Sequence, residues 1–270
     1  MATVSITLCA DNPSTTNFKA NLQQILQPLG GLDFFTDATV CLYLGSIWPA
    51  PPQLGLNPLP QMVQALTELL QAAGAQQISL AASAAAGFDW QDALQLAEYN
   101  QLTGLKFVNL AETTHQERES SLNLAATRLN VPEILLPRGC LINIAKLRVA
   151  EGQLLGTALL NLQAALSPSQ TADRTLVDLH SIIQPDLHLI DCCRGQKGLQ
   201  PQQHSALLAG RDAVALDLVT AAVAGLDATS REYLTLAAQY GLGSAEISDI
   251  HVVGQGLTEL FGLPEIQDEE

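Results

Sequence analysis

Short apolar runs of strand length alternate along this chain with segments of helical period, and that alternation most narrows what it can fold into. Val4–Cys9 alternates and is rich in β-formers, so it reads as a strand. Phe18, Leu22, Ile25, Leu26 and Leu29 then recur at helical spacing, and Gly30-Gly31 stops that helix. Thr39–Leu44 reads as a buried strand. Leu59–Ala73 reads as a helix with Met62, Leu66, Leu69 and Leu70 on one face. Ile78–Ala81 and Leu105–Leu110 read as strands on either side of a helix over Trp90–Asn100. The repeated strand–helix order predicts an α/β fold, a mainly parallel sheet with helices on both faces.

The stretch Ile47–Pro60 holds most of the local prolines and cannot be regular helix; a long ordered loop is expected there. Glu112–Arg128 is polar and reads as a solvated face or excursion. Ile134–Leu136 and Cys140–Lys146 read as strands around the Pro137-Arg138-Gly139 turn. Leu154–Leu166 reads as an apolar helix, or part of one, broken at Pro168. A further helix carries Leu176, Leu179, Ile182 and Ile183 and ends at Pro185. The strand Leu187–Ile190, a helix behind Asp212, a helix over Thr229–Tyr240 and the strand Ile250–Val253 complete the chain, and the acidic tail Gln267–Glu270 is expected to fray. With no internal repeat or low-complexity linker, residues 1–270 read as one domain, and an inserted lobe near residues 110–175 stays open.

Charge and cysteine usage exclude some classes. The chain of 270 residues has 12 Lys+Arg against 27 Asp+Glu, a formal net charge of −15, which repels phosphate backbones and anionic membrane. No nucleic acid and no membrane are therefore expected as partners. Hydrophobic residues make up 47% and aromatics only 4%, so the core must rest on Leu, Ala, Val and Ile. The cysteines are Cys9, Cys41, Cys140, Cys192 and Cys193, an odd count with no CxxC spacing. That usage suits a reducing compartment without structural disulfides, and with no leader or spanning run the expected location is cytoplasmic.

The chemistry concentrates between Leu176 and Leu226. The strand read at Leu187–Ile190 has the acid Asp191 at its terminus, a glycine-bearing loop follows, and a helix opens on Asp212 with Asp217 behind it. That layout places Asp191, Asp212 and Asp217 together at the carboxyl edge of a parallel sheet. Asp191 can equally be a turn-former and Asp212 a plain N-cap. Asp217 lies within Ala-Val-Ala-Leu-Asp-Leu-Val and needs a buried partner, which Arg211 or Lys146 is expected to supply. The acids with His204 have no metal-binding spacing, so no metal is expected. His180 and His188 read as structural. Cys192-Cys193, beside Arg194 and Lys197, has the setting of a reactive thiol pair, though two incidental small residues fit as well.

These segments resemble the domain-of-unknown-function family numbered 362, whose members often accompany iron–sulfur ferredoxin modules. The resemblance runs nearly end to end. It rests on the opening strand–turn–helix with Gly30-Gly31, on Pro60–Ala75, on the strand Leu141–Lys146, and most specifically on Leu176–Asp191 and Gly210-Arg211-Asp212 with Asp217. The family's Lys-Pro-Asn is replaced by Tyr43-Leu44-Gly45, and its Lys-x-Lys-Thr-His reads Lys146-Leu147-Arg148-Val149-Ala150. Its Lys-Asn reads Leu160-Asn161, its Asp-Gly reads Asp191-Cys192, and the acid before its loop glycine is Lys197. Lysines and a histidine at a sheet edge suit an anionic ligand, so their loss implies a degenerate member.

Two readings follow. In the first, the protein binds a partner protein or a small anionic ligand in redox or cofactor metabolism, with Asn161, Gly198, Arg211 and Asp212 as ligand-binding residues. In the second, it is an enzyme acting on a phosphate- or carboxylate-bearing substrate. Lys146, Asp191 and Asp217 are then catalytic, Lys146 orienting the anionic group while an aspartate handles a proton. The cofactor is left unknown. An open pocket lined by Lys146, Asp191 and Asp217 would favour the enzyme; paired and sealed side chains would favour binding.

Overall fold

The computed structural model of the chain describes residues 1–10, 13–136, 139–150, 153–166, 172–193, 205–226 and 231–254. In chain order the elements are β1 (Ala2–Leu8), α1 (Thr15–Leu26), β2 (Thr39–Ile47), α2 (Pro60–Ala72), β3 (Gln77–Ala84), α3 (Trp90–Leu96), β4 (Lys106–Asn109), β5 (His115–Glu119) and β6 (Arg128–Pro132). They continue with β7 (Cys140–Lys146), β8 (Val149–Ala150), β9 (Gln153–Leu154), α4 (Ala158–Leu162), α5 (Asp173–Ile182), β10 (Leu187–Asp191), β11 (Ala206–Gly210), α6 (Ala213–Val223), α7 (Glu232–Gln239) and β12 (Ile250–Gly254).

Among the described residues the main sheet has eight strands in the order β12-β1-β11-β10-β7-β2-β3-β4. Every pairing is parallel except those of β11, which runs against both β1 and β10. The fold is therefore the α/β, mainly parallel sheet that the alternation predicts.

Strand side chains alternate between two cores, as a pleat of period two requires. Val40, Leu42 and Leu44 of β2 and Leu187 and Leu189 of β10 join Phe18, Leu22 and Ile25 of α1 and Met62, Leu66 and Leu70 of α2. Cys41 and Tyr43 of β2 and Ile190 of β10 face the other way, onto α4, α5, α6 and α7. Helices thus cover both faces. α1 starts where Ser14 and Asn17 form a reciprocal capping box, and its chain turns away at Gly30, which has φ +99°. α2 starts with Pro60 at its first position, where a missing N–H costs nothing.

Local readings failed where elements were short or polar. Ile134–Leu136 is not a strand; a 3-10 turn covers Glu133–Leu135. Within the expected polar excursion, β5 and β6 pair as an antiparallel ribbon. Arg128 bonds Glu117 and Glu119 across it. In Leu154–Leu166, read as a helix or part of one, the helical part is α4 followed by a 3-10 turn at Gln163–Ala165. The break at Pro168 and the tail at Gln267–Glu270 lie outside the described residues.

Candidate functional site

The acids read from the sequence as one cleft occupy three separate places, and in each the carboxylate receives backbone N–H groups. Asp191 ends β10 directly beside Lys146 at the end of β7, in register. Lys146 Nζ stands 3.1 Å from Asp191 Oδ1, both side chains are sealed from solvent, and the ammonium also donates to the Cys193 carbonyl. The same carboxylate accepts from the Cys193 amide at 2.7 Å and from the Leu59 amide at 2.8 Å. Leu59 is the N-cap of α2, so the negative charge sits at a helix N-terminus, where the dipole favours it. The pair ties the proline-rich loop to the sheet. Within that loop the Asn57 side chain bonds the Trp48 backbone twice, at 2.8 Å each, and the Tyr99 hydroxyl donates to the Pro58 carbonyl at 2.5 Å.

Asp212 is at the other end of the sheet, and this corrects the expectation of one shared rim. Because β11 is antiparallel, its first residues lie level with the end of β10, pairing Asp191 with Leu207, and its last lie level with the start, pairing His188 with Gly210. Three residues of strand span about 10 Å, and Asp212 lies beyond them. There it is the N-cap of α6, accepting from the Ala215 amide at 3.0 Å and from the Ser244 amide at 2.9 Å. Arg211 is beside it at the same edge. Its guanidinium donates to the Leu29 and Asp186 carbonyls at 3.0 Å each and lies over the Phe34 ring at 4.8 Å.

Asp217 is buried on α6, on the sheet face opposite the Lys146–Asp191 pair. Its partner is neither Arg211 nor Lys146. The carboxylate takes the Thr157 hydroxyl at 2.7 Å and the Ala158 and Leu159 amides at 2.6 and 3.1 Å, closing the first turn of α4. Burial raises its pKa from 3.8 to about 7 against the pull of those donors. Gly198 and His204 lie outside the described residues.

Asn161 belongs to a polar chain under α4. Its Nδ2 donates to Asn143 Oδ1 at 2.8 Å and to the Ile144 carbonyl at 3.2 Å, while the Tyr43 hydroxyl donates to the Asn161 carbonyl at 3.0 Å. Asn143 Nδ2 donates to the Ala158 carbonyl at 2.7 Å and lies 3.0 Å from His188 Nδ1. A donating amide makes that nitrogen the acceptor, so His188 is neutral; burial lowers its pKa to about 3. Gly45, at φ +71° on a bulge in β2, lets Asn161 approach: a Cβ there would meet the Asn161 side chain.

Asn161 also reaches the wall of an open cleft. It has a volume of about 670 Å³ and opens at the carboxyl ends of β2 and β3, between α4 and the β5–β6 ribbon. Ser46, Ser83, His115, Asn130, Arg148, Asn161 and Gln163 are its polar lining, with the Ser46 and Ser83 hydroxyls 3.3 Å apart. Among the described residues the lining includes no carboxylate, although the chain has 27 acids. Lys146, Asp191, Arg211, Asp212 and Asp217 are absent from it too.

Arg148 is the cation of this cleft. Among the described residues it pairs with no acid, and its buried Nε has no hydrogen-bond partner. One terminal nitrogen reaches the Leu155 carbonyl at 3.4 Å. Burial lowers its pKa, yet a guanidinium keeps its charge near neutrality. Sequence reasoning passed over it, although the signal was present. Arg148 stands where the resembled family has the second lysine of Lys-x-Lys, so a positive charge is retained there. Among the described residues no group of three or more His, Cys, Asp or Glu is placed to hold a metal ion.

Comparison with known proteins adds a family and no chemistry. No curated protein matches the chain in sequence. A protein from Thermotoga maritima of known crystal structure superposes with a TM-score of 0.45 at 8% identity, over 77% of this chain and 57% of that one. The lactate racemase apoprotein from Thermoanaerobacterium thermosaccharolyticum gives 0.44 at 8% identity, over 79% and 55%. This chain thus spans little more than half of either structure. The family model described as domain of unknown function DUF362 matches residues 45–222, from the bulge in β2 to the end of α6, leaving the opening strand and helix outside it. Since that span is about two thirds of the sequence, the chain belongs to the DUF362 family.

Proposed function

We propose that this protein is a binding member of its family that holds a small carboxylate- or phosphate-bearing ligand in the 670 Å³ cleft, with Arg148 pairing the anionic group. One observation carries the reading: in a chain of net charge −15, the cleft wall has an arginine and, among the described residues, no acid. A half-buried guanidinium with no carboxylate partner among the described residues favours an anion that brings its own charge and two acceptor oxygens. The Ser46 and Ser83 hydroxyls and the Asn161 and Gln163 amides supply further polar contacts. Trp48 and Leu155 also line the cleft, 38% and 46% exposed, and the Phe88 ring lies 6.4 Å from that of Trp48. An apolar or aromatic body beyond the anionic group fits that mouth.

Binding is preferred to catalysis because the three residues nominated as catalytic do not reach this cleft. Lys146 and Asp191 neutralise each other under cover, and Asp217 caps α4. A place in redox or cofactor metabolism is drawn from the family resemblance alone.

The test is calorimetry and thermal shift of the purified protein with inorganic phosphate, acetate and benzoate, each beside its neutral amide or ester. The anions should stabilise the wild type and the neutral analogues should not. Arg148→Met should lose about 10- to 100-fold in affinity, the worth of a charge-assisted hydrogen bond of about 1.5–3 kcal/mol. Equal binding by Arg148→Met, or equal stabilisation by the neutral analogues, would refute the reading.

A further inference from the structure

At the carboxyl edge of the sheet, β1 and β10 lie on either side of β11, and each is followed by cysteine. Cys9 continues β1, its amide bonding the Ser205 carbonyl at 2.8 Å. Cys192 continues β10, its amide bonding the Ala206 carbonyl at 2.9 Å. Cys193 is one residue further on, and its thiol donates to the Ala206 carbonyl at 3.4 Å. Its side chain and that of Cys9 turn to the same face of the sheet, toward α1 and α2, whereas Cys192 packs on the opposite face. The Cys193 and Cys9 side chains face each other across the start of β11 closely enough to interact, and Asn21 Nδ2 donates to Cys9 Sγ at 3.3 Å. Cys9 is half-buried; Cys193 is fully covered.

We propose that Cys9 and Cys193 form a reversible disulfide by exchange with a small-molecule disulfide, making this edge a thiol–disulfide switch. Cys9 is the sulfur that meets the oxidant. Its thiolate attacks one sulfur of oxidised glutathione, the glutathione S–S bond breaks, and one glutathione thiolate leaves. Cys193 then gives up its proton and attacks the Cys9 sulfur, displacing the second glutathione. Overall the two cysteines lose two electrons and two protons, and one glutathione disulfide becomes two glutathione thiols.

The exchange has a structural consequence. Two strand spacings separate β1 from β10 by about 9.5 Å, whereas a disulfide holds its Cα atoms within about 6.8 Å. Cys193 lies past the last β10–β11 hydrogen bond, so it is the residue that moves. Drawing it toward Cys9 pulls its amide from Asp191 and its carbonyl from Lys146. Oxidation therefore loosens the buried ion pair and, through Leu59, the start of α2. Cys192 is the alternative partner, but a ring between adjacent cysteines is strained.

Peptide mapping tests this on the intact protein. Incubation with excess oxidised glutathione should reduce the free thiols, counted after denaturation, from five to three. Non-reducing tryptic digestion should then give one cross-linked species joining residues 1–19 to residues 175–194. The link should persist in Cys192→Ser and vanish in Cys9→Ser. Cys193→Ser should instead stop at a mixed disulfide on Cys9. A link internal to residues 175–194, a mixed disulfide on wild-type Cys9 that never resolves, or five thiols still free would each overturn the proposal.

Discussion

Replacing Asp217 with asparagine isolates one buried titration. The carboxyl has a folded pKa of about 7 against an ordinary 3.8, raised by burial and opposed by the Thr157, Leu159 and Ala158 donors. Between those two pH values the folded state holds a proton that the unfolded chain has released. Stability from this group is thus fully present below pH 3.8 and is lost as pH rises through about 7. The interval is roughly three pH units, each worth 1.36 kcal/mol, so the loss is about 4 kcal/mol, of which about 3 falls above pH 5. Asparagine cannot titrate. Its amide keeps one acceptor for the Ala158 N–H but turns a donor toward Leu159, a penalty of about 1–3 kcal/mol that does not vary with pH. Urea unfolding of both proteins from about pH 5 to 8.5 gives the difference curve, in which the other acids cancel. The wild type's advantage should shrink by about 3 kcal/mol toward high pH. A constant gap would refute the reasoning, because it would mean that Asp217 stays ionised throughout and that the amides at α4 outweigh its burial.

Lys146→Met should cost about 3–5 kcal/mol by urea unfolding, since Asp191 is left as a covered, unpaired charge; Lys146→Met with Asp191→Leu should recover much of that, and a single-variant loss below about 1 kcal/mol would contradict the sealed pair. Asp178 accepts the Ser120 hydroxyl at 2.6 Å and the Leu124, Ala125 and Ala126 amides at 2.8–3.0 Å. Asp178→Ala should therefore accelerate hydrogen exchange at 124–126 by opening that loop while β7 and β10 stay protected, and unchanged exchange there would remove the clamp.

The strand–helix alternation was legible because burial on two faces leaves long apolar runs in β2, β3, β7 and β10, and amphipathic spacing in α1 and α2. Strand direction was not legible, because a period-two pattern reads the same both ways. Between Asp191 and Asp212 the sequence shows only a glycine-bearing loop, and the antiparallel β11 within that stretch carries Asp212 to the far edge. The pairing of Lys146 with Asp191 follows from both ending strands that turn out to be neighbours. Asp217 was rightly expected to need a partner, but a helix N-terminus meets that need as well as a cation does, and nothing local in the sequence distinguishes them. The β5–β6 ribbon was hidden because Glu117, Arg118 and Glu119 offer no apolar face to betray it.

Among the described residues β1 pairs only with β11 and β12, strands that begin two hundred or more residues later. On a ribosome adding about 5–20 residues per second, that delay is on the order of 10–40 s. Throughout it Val4 and Ile6, fully covered in the finished sheet, have no strand to lie against. The half of the sheet built from β2, β3, β4 and β7 can assemble from nearby segments, while β1, made before them, is among the last to dock. Growing chains are thus exposed to mispairing at this strand, and a chaperone that shields nascent chains would find its work there.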